Sequence, residues 1–405
     1  MQTQRAPGID VLRAVAMLAV VMLHACGPGM RLPVPGLLWP VFVSAHTWAC
    51  DIVFWSARCV ASRAFSLVAG FVAAGLIARA MRSDNSLREL AITRVRRLGK
   101  PLLLGVLLVL PAMYFIWAWG WVQFGFANWE NVFALRYGPA VRPHVLGLGH
   151  LWFLAASLAS TLLMIALASA AKHKVSAHAL DGISMLLLGG SQRLLWLVPS
   201  TACIFAFLPS SMVQFVNGFV PAAGTYLLHL VFFGVGALLW RLRDDLLAVT
   251  RWWWLELLIA ALALTLLFPH LRTALLTDGM IEKPWYLPGA LLTPSLGFKA
   301  SLLASVAAWC AMFGALGACA RCRGAVVGAA AWLVQRQMFV YLSHLLFVGL
   351  AWSSLYKSTL PVEARACIAF VSGVVGPLAL HAAWNALSHT KTASKQTAKH
   401  AFSHR

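Results

Sequence analysis

The chain has 405 residues, of which 61% are hydrophobic and only 11% charged, and its mean hydropathy is +0.79. A soluble domain carries about 25% charged residues, so a globular chain is excluded and an all-α, polytopic integral membrane bundle is expected. The formal net charge of +20 raises nucleic acid as a partner, but the cations fall between apolar spans, which excludes that partner and makes the lipid bilayer the solvent.

A window of about 20 residues finds ten candidate transmembrane helices, near 9–27, 60–79, 100–119, 150–170, 192–208, 224–240, 252–268, 298–318, 329–350 and 364–386. Pro199 interrupts the fifth. The loop between the second and third holds Arg79, Arg82, Arg88, Arg94, Arg96, Arg97 and Lys100. Later even-numbered loops hold Lys172, Lys174 and Arg193, then Arg241, Arg243 and Arg251, then Arg321, Arg323 and Arg336, while the odd-numbered loops are poorer. The asymmetry predicts that both termini are cytoplasmic. It divides the chain into a ten-helix membrane domain, 1–388, and a basic cytoplasmic tail, 389–405.

The first span carries Asp10 at its mouth, Arg13, and His24 after ten intervening residues. Eleven residues are almost three turns, so Arg13 and His24 share a face about 16 Å apart along the axis. A cation and a titratable base inside a spanning helix point to function. The competing reading has Arg13 snorkel to the near surface and His24 cap the far end. Leu23-His24-Ala25-Cys26 superficially resembles a lipoprotein cleavage box, but Asp10 and Arg13 break the apolar stretch and favour a retained helix.

Further along, Arg94-Val-Arg-Arg97-Leu-Gly-Lys-Pro101 is a basic run suited to holding phosphates at the cytoplasmic face, or merely to anchoring topology. The aromatics of loops 120–149 and 269–296, Trp285 and Tyr286 among them, read as interfacial belts. His150-Leu-Trp152-Phe-Leu154 opens the fourth span, and Val340-Tyr-Leu-Ser-His344 places a histidine in the outer half of the ninth. Cys319-Ala-Arg-Cys322 has no second pair or nearby histidine cluster, so its thiols read as ordinary. No His-Glu-x-x-His zinc spacing or Gly-Lys-Ser/Thr phosphate loop is present. Neither a metal nor a bound cofactor is expected.

Together these words resemble the acyltransferase-3 family of integral membrane acyltransferases, nearest to its glucan succinyltransferase branch. Arg13 and His24 match the family's Arg-x10-His element, and Phe65-Ser-Leu-Val-Ala-Gly70-Phe71 its small-residue second helix, with Ala69 where a serine is usual. Arg94 and Arg97 match its Arg-x-x-Arg element, and His150-Leu-Trp-Phe-Leu154 its most specific short word. Residues 226–241 look like its sixth span. The resemblance implies an O-acyltransferase of the bacterial inner membrane that moves an acetyl or succinyl group from cytoplasmic acyl-CoA, its co-substrate, to a hydroxyl of an extracytoplasmic carbohydrate acceptor such as a periplasmic glucan. On that expectation Arg13, Arg94 and Arg97 hold the CoA phosphates and His24 is the general base or an acyl-histidine relay. His150, Trp152 and His344 then position the acceptor or the oxyanion. No acidic residue offers itself as the partner of His24: Asp51 lies at an outer border and Glu256 near a cytoplasmic one. Two rival readings are an exporter of a small anion or glycan, with Arg13 and His24 lining the pathway, and a non-catalytic membrane partner that kept the fold.

Overall fold

The computed structural model describes residues 6–402 apart from 42, 44, 83–85, 139–141, 172–176, 209, 210, 214, 216 and 277–296. The described residues form helices and no strands. In chain order the main helices are α1 (Pro7–Cys26), α2 (Trp48–Arg82), α3 (Leu87–Phe124), α4 (Gly149–Ala170), α5 (Ala177–Leu188) and α6 (Arg193–Phe207). They continue with α7 (Ala223–Arg241), α8 (Trp253–Leu276), α9 (Phe298–Ala320), α10 (Ala325–Ser354) and α11 (Val362–Phe402). Among the described residues nine helices are long and apolar enough to span a membrane, all but α5 and α6. The protein is a polytopic helical membrane bundle.

The expected fifth span is the 15-residue α6 with Pro199 inside it. At 1.5 Å per residue it reaches about 22 Å, short of a hydrocarbon core about 30 Å thick. Two other expectations need revision. The basic stretch between the second and third spans is mostly helix, because α3 starts at Leu87 under a Ser86 cap whose Oγ accepts from the Glu89 N–H at 3.1 Å. Such a Ser-x-x-Glu start is local hydrogen bonding, which hydropathy does not register. Around Arg96 and Arg97 the helix widens to π-type over Val95–Gly99. Pro101 has no N–H to give the Arg97 carbonyl, and a π turn accommodates the missing bond. Arg193, expected among loop cations, is instead buried and ion-paired with Glu256. Trp285 and Tyr286 lie outside the described residues.

The core is organised around α1, which packs against α2, α9, α10 and α11. Without a hydrophobic force between helices in lipid, close approach depends on small residues. Gly70 of α2 sits on the Phe233 carbonyl of α7, and Gly236 of α7 sits on the Leu67 carbonyl of α2, so a Cβ at either would overlap the other backbone. This reciprocal crossing fixes α2 against α7. At the far end of α1, Gly27-Pro28-Gly29 breaks the helix, and the Trp352 indole N–H of α10 donates to the Ala25 carbonyl at 3.0 Å. The last turn of α1, which carries His24, is thereby held against α10.

Candidate active site

Three helices bring three histidines together. The His24 ring of α1 lies 5.3 Å, centroid to centroid, from His344 of α10, and His344 lies 5.2 Å from His150 at the start of α4. His24 and His150 line a cavity of about 540 Å³, and His344 packs behind them with no exposed surface. Trp152, the fourth residue of α4, lines the same cavity.

Backbone carbonyls set the tautomers of two rings. His344 Nδ1–H donates to the Tyr341 carbonyl at 2.8 Å, and His150 Nε2–H donates to the Leu342 carbonyl at 3.0 Å. The remaining nitrogens, His344 Nε2 and His150 Nδ1, are therefore lone-pair acceptors, and both are buried without a partner. His24 Nδ1 is also enclosed without a partner, while the ring borders the cavity. The Tyr341 hydroxyl donates to the His150 carbonyl, tying α10 to the turn that presents His150. That turn depends on Gly149 at φ +53°, with its N–H donating to Asn217 Oδ1 at 3.0 Å.

Over the His24 end of the bundle lies the segment after α1. The Trp117 and Trp121 indoles of α3 donate to the Leu38 and Trp39 carbonyls, each at 2.8 Å. Trp39 meets His24 edge-on at 6.1 Å. Indole is at once an apolar wall and a donor, so these residues roof the cavity and anchor its lid in one step.

The expected site residues divide into two groups. His24, His150, His344 and Trp152 converge as described. Arg13, Arg94 and Arg97 do not line the cavity. Arg13 is 3.8 Å from Asp10 on its own helix, Arg97 is exposed, and Arg94 keeps its Nε buried and unpartnered. Neither acid weighed as a partner for His24 serves it. Asp51 accepts the N–H groups of Arg31 and Leu32 at 2.8 and 2.9 Å, and Glu256 pairs with Arg193. Among the described residues no three His, Cys, Asp or Glu side chains are placed to hold a metal ion.

Four cavity residues escaped the sequence reading: Arg58, Arg63 and Ser66 of α2 and His229 of α7. Charges within an apolar helix are the signal that could have found the arginines. Ser66 Oγ lies 2.8 Å from His229 Nδ1 and 2.9 Å from the Ser62 carbonyl. With the hydroxyl proton on that carbonyl, His229 Nδ1–H donates to Ser66, and the buried, unpartnered Nε2 is a further lone pair. The cross-helix hydroxyl that Ala69 lacks is thus supplied one turn earlier.

A sequence model for an acyltransferase domain, that of the acyltransferase-3 family, matches residues 7–382. The chain belongs to the acyltransferase-3 family. The matched region runs from the first residue of α1 well into α11 and so contains every element that lines the cavity. No curated protein and no solved structure matches the chain. As an acyltransferase-3 protein it carries a membrane-embedded acyltransferase domain, whose chemistry requires an acyl donor and an acceptor.

Proposed function

We propose that the protein is an O-acyltransferase that takes an acetyl or succinyl group from cytoplasmic acyl-CoA and places it on a hydroxyl of an extracytoplasmic glycan, a periplasmic glucan being the acceptor suggested by the branch it resembles. The observation that carries this reading is the cluster of His24, His150 and His344 on a cavity large enough for a sugar ring and an acyl thioester. His24 is the general base. A neutral imidazole takes the proton of the acceptor hydroxyl as its oxygen attacks the thioester carbonyl. The carbon–sulfur bond then breaks, and the CoA thiolate leaves and takes up a proton. His150, with Nε2 fixed on a carbonyl, lines the cavity and orients the acceptor, while His344 packs behind His24 and His150 and positions their rings.

Arg94 and Arg97, at the far end of the bundle from His24, hold the CoA phosphates, since guanidinium stays charged and bonds phosphate bidentately. Arg13 sits at the same end of α1 as this pair and contributes its charge there. With α6 counted as a tenth crossing, which keeps both termini cytoplasmic, the thioester enters from the Arg13 end and the glycan from the His24 end. The test is acyl transfer from labelled acyl-CoA to a panel of glycans by purified protein in lipid nanodiscs. Labelled glycan with release of free CoA is the expected result. Glycan or anion movement across vesicles without acyl transfer would instead establish the exporter reading.

A further inference from the structure

Two arginines of α2 line the cavity with no carboxylate beside them. Arg63 is 3% exposed. One of its nitrogens donates to the Arg58 carbonyl, another lies 3.3 Å from Met212 Sδ, and its Nε is buried without a partner. Arg58 donates Nε to the Met212 carbonyl at 2.8 Å, which leaves its two terminal nitrogens without a hydrogen bond among the described residues. Neither guanidinium belongs to an ion pair among the described residues. The acids on or near these helices are already engaged, Asp51 with two backbone N–H groups and Glu256 with Arg193.

A guanidinium enclosed in a spanning bundle is costly to leave uncompensated, and two of them five residues apart more so. Carbonyls and a thioether solvate such charges without neutralising them. The cavity they border is the one His24 borders, so an anion seated there is within one substrate's length of the reacting hydroxyl. We infer that Arg58 and Arg63 form an anion subsite that receives a carboxylate or phosphate group borne by the acyl chain or by the acceptor. The role of that anion as part of a substrate rests on the acyltransferase reading. The CoA phosphates have their own cations on α3, so the group held here is a separate one. Arginine suits it because its planar fork pairs bidentately with either oxyanion.

Trp39, Trp117, Trp121 and Trp152 line the cavity and report on its contents. Intrinsic fluorescence of the full-length protein in nanodiscs is titrated with monomethyl succinate against dimethyl succinate, and with glycerol phosphate against glycerol. Each pair differs by one anionic group. The inference predicts a saturable response to at least one anion, weakened by salt, with none to its neutral counterpart; the responding member tells a carboxylate from a phosphate source. Arg58→Gln and Arg63→Gln should each weaken that affinity at least tenfold, and Arg58→Lys should retain part of it. No saturable response in the wild type, or unchanged affinity in folded Gln variants, overturns the subsite. Acyl transfer is measured on the same samples. Anion binding without transfer refutes the acyltransferase reading and leaves the subsite standing. Transfer without anion binding does the reverse.

Discussion

Gly149 offers a test of how the backbone aims a cavity histidine. It precedes His150 at φ +53°, the left-handed region, where an L side chain costs about 1–2 kcal/mol. Space is not the obstacle: a Cβ there would meet Met113 Cε at 3.4 Å and Leu110 Cδ2 at 3.7 Å, both ordinary contacts. Gly149→Ala therefore charges the turn with its conformational cost alone, which is a factor of about 5–30 in the population that presents His150 correctly. The hydrogen bond from the Gly149 N–H to Asn217 Oδ1 does not depend on the side chain and gives no relief. Initial rates of acyl transfer at saturating donor should fall about 5–30-fold, while yield and monodispersity in detergent stay near wild type. Gly149→Asn should fall less than Gly149→Ala, because asparagine tolerates the left-handed region. Equal losses in the Asn and Ala variants would show that volume, not φ, matters. An Ala variant at full rate would remove His150 from the account.

Breaking the buried Arg193–Glu256 pair with Glu256→Ala strands the guanidinium beside the Val249 carbonyl and Phe313, and should cost about 3–5 kcal/mol of stability, read as a lower unfolding midpoint in detergent. Arg94→Ala with Arg97→Ala should weaken acyl-CoA binding without disturbing insertion, measured by equilibrium binding of labelled CoA; unchanged affinity would make the basic run a topology anchor only. With α6 counted as a crossing, reporter fusions after Arg243 should behave as cytoplasmic and fusions near Asn131 as extracytoplasmic; both on one side would show that α6 does not cross, and the opposite pattern reverses the chemistry assigned to each face.

Much of the bundle was readable because lipid imposes one rule, an apolar run of about 20 residues per crossing. The spans that obey it, such as α1, α4, α7 and α9, came out within a few residues of their observed ends. Elsewhere another force sets the boundary. The start of α3 is set by the Ser86 cap, and the 12-residue α5 is too short for the window. Arg193 reads as a loop cation in the sequence because charge alone does not reveal a partner 63 residues away. The same division runs through the site. His24, His150 and His344 were named from words in the sequence, but their meeting depends on how α1, α4 and α10 cross. Arg58 and Arg63 belong to no recognisable word, and a cation in an apolar helix is the physical signal that marks them.

The proposed chemistry depends most directly on His24, whose ring borders the cavity and touches His344. The decisive measurement is the single-turnover rate of acyl transfer by His24→Ala beside the wild type, in nanodiscs, with acyl-CoA binding recorded on the same preparations. The account predicts a loss of roughly 10²–10⁴-fold in rate, the usual contribution of a positioned base, with donor affinity unchanged because the CoA phosphates are held on α3. A folded His24→Ala protein that binds acyl-CoA and transfers at a near wild-type rate would contradict it, and the base would then have to be sought at His150, His344 or His229.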